Sequence, residues 1–128
     1  MKFARYEVAG EVAYGIVEDD TVREITTSPF ERYEATDRTR PLSGVKLLAP
    51  CMPSKIFFMG GNYREEGQAA RATEPQVYVK TINSIIGPGD TIVLPRDAEN
   101  VVEECEQVAV IARRCHKVSK EEALDYVL

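Results

Sequence analysis

Residues 2–25 alternate apolar and polar side chains in three short runs, and a period of two leaves little choice of local structure. Lys2 to Val8 places Ala4, Tyr6 and Val8 on one face. Glu11 to Val17 places Val12, Tyr14 and Ile16 together, and Thr21 to Ile25 is a third run. Ala9-Gly10 and Glu18-Asp19-Asp20 supply the turns between them. The pattern predicts a small antiparallel meander, a scaffold rather than a reactive site.

Beyond it the texture changes. Residues 26–44 hold two prolines, several hydroxyl side chains and mixed charges, which predicts a loop or linker with one helical turn near Phe30 to Tyr33. Val45 to Leu48 reads as a strand ended by Ala49-Pro50, and the apolar run Lys55 to Met59 as a buried strand. Gly60-Gly61-Asn62 follows, a tight turn or an anion cradle, and the sequence predicts helix over residues 63–73. Gln76 to Thr81 is a further strand with Val77 and Val79 on one face. Gln76, Tyr78 and Lys80 share the other, so Lys80 reads as a solvated lysine near a polar edge. Gly87-Pro88-Gly89-Asp90 has the residues of a type II turn, with Thr91 to Leu94 as the next strand, stopped by Pro95.

The chemistry concentrates in residues 101–111, Val-Val-Glu-Glu-Cys-Glu-Gln-Val-Ala-Val-Ile, which read as a strand. Alternation points Glu104 and Glu106 the same way, with Val108 and Val110 carrying that face into apolar surroundings. Neighbouring carboxylates on a face that enters a core repel, and burial is costly unless a cation joins them. Carboxylate oxygens suit Mg²⁺, Mn²⁺ or Ca²⁺. The plain alternative is an acidic half-strand lying beyond the core in water, and the motif alone favours it.

Composition narrows the function. A chain of 128 residues suits one domain with a reasonable core. The net charge of −5 argues against nucleic acid or an anionic membrane as the main partner. Arg113, Arg114 and Lys117 around His116, the single histidine, form a small basic surface patch. Cys51, Cys105 and Cys115 lack metal-ligand spacing and read as reduced, mostly buried thiols of a cytoplasmic protein. No secretory leader or membrane-length apolar run is evident. Ser119 and Glu122 form a capping box that opens a helix running through Leu128. A helix without a C-cap suggests that more protein normally follows.

Several segments occur together in a known order: Pro41 to Pro50, Pro53 to Ile56, Gly61-Asn62-Tyr63-Arg64, Ile86 to Asp90, Glu104-Cys105-Glu106 and Val118 to Val127. In this the chain resembles the first half of a fumarylacetoacetate hydrolase family protein. The resemblance implies a β-rich α+β fold, with residues 1–44 as the N-terminal antiparallel subdomain and linker. Residues 45–128 would be the first portion of a mixed β-roll. It reverses the preference stated above and implies that Glu104 and Glu106 bind a divalent metal, with a third carboxylate beyond Leu128. It also implies a small 2-oxo acid or 1,3-dicarbonyl substrate, processed through an enolate by C–C hydrolysis, decarboxylation or isomerisation. Asn62, Tyr63 and Arg64 would lie at the substrate mouth, and Lys80 would contact substrate. The family's catalytic histidine and glutamate correspond to Glu66 and Ala69, so Glu66 would be the base and ordinary hydrolysis is not expected. A glycine usually stands where this chain has Cys105. The expected assembly is a homodimer. The alternative is a non-catalytic member or fragment that acts through self-assembly or protein binding.

Overall fold

The computed structural model describes residues 1–61 and 74–128. The meander forms as expected: β1 (Phe3–Val8), β2 (Glu11–Glu18) and β3 (Thr21–Ile25) pair antiparallel in sequence order. Ala9, Gly10 and Asp19 take positive φ in the two connections, as tight hairpin turns require. A fourth strand, β4 (Ala35–Pro41), lies where the sequence predicted a linker. Its Ala-Thr-Asp-Arg-Thr-Arg-Pro run is polar because it is an edge strand, and charges on an edge discourage further pairing. On the opposite edge β5 (Lys46–Leu47) pairs with β1, giving the order β4-β3-β2-β1-β5.

The core lies on one face of this sheet. Ala4, Tyr6 and Val22 are buried, with Val8, Ala13, Val17, Leu42, Val45 and Leu47 packed around them. Tyr6 is fully buried, and its register partner is Ala13, while Ala4 faces Gly15. Val12, Tyr14 and Ile16 therefore share the other face, and the core uses the smaller set between them. A Cβ at Gly15 would come within 2.5 Å of Val22 Cγ2 and 2.6 Å of the Arg23 carbonyl oxygen. The Tyr6 hydroxyl donates to Glu24 Oε2 at 3.5 Å, and Glu24 in turn pairs with Arg38 of β4 at 2.7 Å. Burial, and then the Glu24 charge, raise the Tyr6 phenol above its ordinary value.

A second, two-stranded sheet follows. In it β6 (Ile56–Gly60) pairs antiparallel with β7 (Gln76–Lys80). The buried strand expected at residues 55–59 is instead half-open, with Phe57 55% exposed, because the described residues place no layer over that face. Gly87 to Asp90 forms the expected turn, with Gly89 at φ +81° and the Asp90 amide donating to the Gly87 carbonyl at 3.1 Å.

Three sequence expectations change in the last third. Residues 91–94 and 101–110 belong to no sheet among the described residues. A period-two pattern specifies an extended ribbon, but a ladder also needs a hydrogen-bonding neighbour. Only the far end finds one: Ile111 bridges Val127, flanked by the Ala112 amide on the Tyr126 carbonyl at 2.7 Å and the Leu128 amide on the Val110 carbonyl at 2.9 Å. The capping box closes, with the Glu122 amide on Ser119 Oγ at 3.3 Å and the Ser119 amide on Glu122 Oε2 at 3.4 Å. It opens only a 3₁₀ turn, Ala123–Tyr126, because Val127 turns extended to meet Ile111. Finally, the three cysteines are free, as expected, but Cys105 and Cys115 are exposed. Among the described residues no helix is long and apolar enough to cross a membrane.

Gly15→Ala should cost about 1–3 kcal/mol of stability, read as a lower urea midpoint at unchanged slope, since the new methyl meets the Arg23 carbonyl. An unchanged midpoint would show that β2 and β3 are not held at this separation.

Candidate functional site

The β6–β7 ribbon has two unlike faces. Register pairs Phe58 with Tyr78 and Ile56 with Lys80 on one face, and Phe57 with Val79 on the other. The Phe58 and Tyr78 rings stack at 4.9 Å, and Lys80 Nζ lies 4.7 Å from the Phe58 ring centroid. A cation over an aromatic face is attracted by the ring quadrupole, so Lys80, though exposed to solvent as expected, is drawn toward the Phe58 ring. Gly60 makes room for this stack: a Cβ there would lie 2.6 Å from Tyr78 Cε2. The sequence assigned Lys80 to the right face but not to its aromatic partner, which follows once β6 and β7 are paired in register.

Beyond the ribbon, the turn at residues 87–90 is clamped onto β5. A Cβ at Gly87 would sit 3.1 Å from Leu48 Cα and the Ala49 nitrogen, so only glycine permits this approach without displacement. Asp90 Oδ2 accepts from the Gly87 amide at 2.8 Å, and Oδ1 lies 3.5 Å from Lys46 Nζ. The Gly87 hydrogen bond first, and Lys46 second, hold the Asp90 carboxyl below its ordinary range. The turn chemistry was legible in the sequence; the Lys46 partner was not.

Glu104 and Glu106 are both exposed, on the extended segment that belongs to no sheet. The half-buried ribbon expected for them is not formed among the described residues, because neither a neighbouring strand nor a covering layer lies there. Neither carboxylate has a hydrogen-bond or ion-pair partner among the described residues, and neither contacts Lys80. No group of three metal-ligating side chains occurs among those residues. Farther along the segment, Val110 lines an apolar pocket of about 210 Å³ with Met1, Phe3, Phe30, Pro50, Cys51 and Leu128. Asn62, Tyr63, Arg64, Glu66 and Ala69 lie outside the described residues. His116 is exposed, as expected, and Arg113 of the basic patch packs over the Tyr126 ring at 4.5 Å.

Comparison with known proteins places this geometry. Residues 55–128 match the model for the fumarylacetoacetate (FAA) hydrolase C-terminal family, and residues 1–50 match the Rv2993c-like N-terminal model. The chain belongs to the fumarylacetoacetate hydrolase family. It corresponds to the N-terminal portion of its relatives. Protein Rv2993c of Mycobacterium tuberculosis is 38% identical over 111 residues, covering 84% of this chain and 42% of its own. The mitochondrial oxaloacetate tautomerase fahd-1 of Caenorhabditis elegans is 35% identical over 89 residues, covering 67% of this chain and 40% of its own. The crystal structure of 5-carboxymethyl-2-hydroxymuconate delta-isomerase from Mycobacterium smegmatis superimposes with a TM-score of 0.82 at 30% identity. That match covers 100% of this chain and 52% of the isomerase. The chain thus spans about half the length of the proteins it resembles, in a superfamily whose members are named as tautomerases, hydrolases and isomerases.

Asp90 is readable by its own hydrogen bond. The Gly87 amide shift, followed by NMR against pH, should titrate with a midpoint below that of an unpaired aspartate. A depressed carboxyl stabilises the turn above its ordinary pKa, and that contribution fades as pH falls through the folded value. In Lys46→Ala the midpoint should move part of the way back, since the larger cause, the Gly87 bond, remains. A wild-type midpoint at or above that of an unpaired aspartate would contradict the clamp.

Proposed function

We propose that this chain contributes the metal-binding part of an enzyme that acts on a small 2-oxo acid or 1,3-dicarbonyl through an enolate. The observation that carries the proposal is the Glu104/Glu106 pair at alternate positions of an extended segment whose far end is held by the Ile111–Val127 bridge. Membership of the family supports it. Two similar proteins, an oxaloacetate tautomerase and a hydroxymuconate isomerase, are named for keto–enol and double-bond shifts of such acids.

The donor set fits a hard divalent cation by type. Carboxylate oxygens are the ligands that Mg²⁺, Mn²⁺ and Ca²⁺ take, and Mg²⁺ commonly uses one or two of them and keeps several waters. Glu104 and Glu106 would hold the ion, leaving other positions for water and substrate oxygens. When bound, such an ion supplies Lewis-acid charge toward an enolate oxygen.

The chain's own residues do the rest. Lys80, drawn toward Phe58, offers a positive charge to a substrate carboxylate. The stacked Phe58 and Tyr78 rings give a planar enol a flat surface to lie against. Asn62, Tyr63 and Arg64 line the substrate mouth in this reading, and Glu66 moves a proton. With Glu66 and Ala69 in place of a histidine–glutamate pair, proton shuttling or decarboxylation suits the residues better than activation of water for C–C hydrolysis. Action as a cytoplasmic homodimer belongs to the same proposal.

Calorimetric titration with Mg²⁺ or Mn²⁺ tests the metal assignment. The wild type should take up the ion, and Glu104→Ala/Glu106→Ala should bind at least about tenfold more weakly, direct ligands counting for no less than the groups that orient them. Equal uptake by both removes the metal role.

A further inference from the structure

The edge strand β4 carries two arginines on the core face of the first sheet. Register pairs Arg40 with Val22, one of the buried residues around Tyr6, and paired residues of neighbouring strands share a face. Arg38 lies two residues back along the same strand and points the same way. Glu24 serves only one of the two. Its Oε1 pairs with Arg38 at 2.7 Å, and its Oε2 accepts from the Tyr6 hydroxyl at 3.5 Å. Arg40 has no hydrogen bond or ion pair among the described residues, and its Nε is sealed from solvent without an acceptor. Both guanidiniums act on the buried Tyr6 hydroxyl, Arg40 more strongly than Arg38, so they stand at the same end of the ring.

We infer that Arg40, with Arg38 beside it, binds the carboxylate of a small organic acid at the margin of the N-terminal sheet. The charge count sets the class. Two guanidiniums and the Glu24 carboxylate leave a single positive charge, which a monoanion neutralises. The donors set the shape. A guanidinium spreads its charge over three nitrogens, and its terminal pair makes a planar fork that matches two coplanar oxygens. Nε is turned inward, so the terminal nitrogens of this half-buried residue are the ones left facing outward. An oxyanion seated on them offsets the charge that Nε carries unpartnered beneath the strand. Packing around Nε also holds the fork in place, which lowers the ordering cost of binding. Partial burial leaves the charge less screened by salt than an open arginine would be. Glu24 works against the ligand as a like charge held close by, so its removal should tighten binding. Every residue of the site lies within the span, residues 1–50, that matches the N-terminal family model.

The test is an NMR titration of the 128-residue chain with propionate, exchanged for chloride at constant ionic strength and followed at the Arg40 Nε–H and the Val22 amide. The wild type should give a saturable shift at both. Arg40→Gln should bind at least about tenfold more weakly, the loss of one charged fork. Unchanged amide exchange in β1 to β3 separates a lost site from a lost fold. Arg40→Lys keeps the charge at that position and should still bind several-fold more weakly, because an ammonium has no planar fork. Glu24→Gln should bind more tightly than the wild type. Arg23→Gln, on the opposite face and paired with Glu18, should leave the affinity unchanged. Absence of a saturable shift overturns the inference, as does wild-type affinity in both Arg40 variants. Tighter binding of inorganic phosphate than of propionate overturns the carboxylate assignment. Self-association that Arg40→Gln abolishes would give the carboxylate to a second copy of the chain and overturn it as well.

Discussion

Tyr6 is the bulky residue around which the N-terminal sheet is arranged, and it fits because its neighbours are small. Ala13 stands opposite it, Ala4 and Gly15 lie beside it, and Val22 closes the same layer from β3. Gly15 allows β2 and β3 to approach so closely that a methyl group has no space between them. The ring fills the layer while its hydroxyl reaches Glu24, and Glu24 draws in Arg38 from the edge strand. One buried phenol thus links the central strands to the sheet margin, through packing at one end and charge at the other. The rest of the chain is added to the far margin of this sheet, along β5 and the turn that rests on it.

The legibility of the sequence follows from which interactions are local. The meander could be read because its period and its turn residues agree, as they do at Ala9-Gly10 and Asp19-Asp20. Its inner face could not be read from hydrophobicity alone, since Tyr6 selects Ala13 and Gly15 over the larger Val12, Tyr14 and Ile16. Nor did β4 announce itself. An edge strand needs a partner on one side only, so threonine and arginine serve where apolar residues would be expected. At the candidate site, the residue types that suit a hard cation, and the lysine, were visible in the sequence. The stack of Lys80 on Phe58 depended on strand register, which a single run of residues does not contain.

The contrast between the two parts of the chain is one of completeness in hydrogen bonding. Each central strand of the first sheet has neighbours on both sides. Residues 101–109 have the composition of such a strand and none of its neighbours among the described residues. Their exposed acids are consistent with either fate weighed for this motif, an ion site or a solvated end. What distinguishes these outcomes physically is whether something covers the adjoining valines, because only a low-dielectric surround makes two adjacent carboxylates depend on a shared cation.

The seat of Gly87 on the Leu48–Ala49 backbone bears on the order in which the molecule comes together. Hairpins between adjacent strands close over short loops and form quickly. The contact at Gly87 joins positions far apart along the chain, so the intervening residues must first give up much of their freedom. It therefore belongs to the late stage of folding, when β1 already offers β5 an edge. Until then, the chain beyond β5 is tied to the first sheet only through its own backbone, so the β6–β7 ribbon is free to meet wrong partners before it is drawn in.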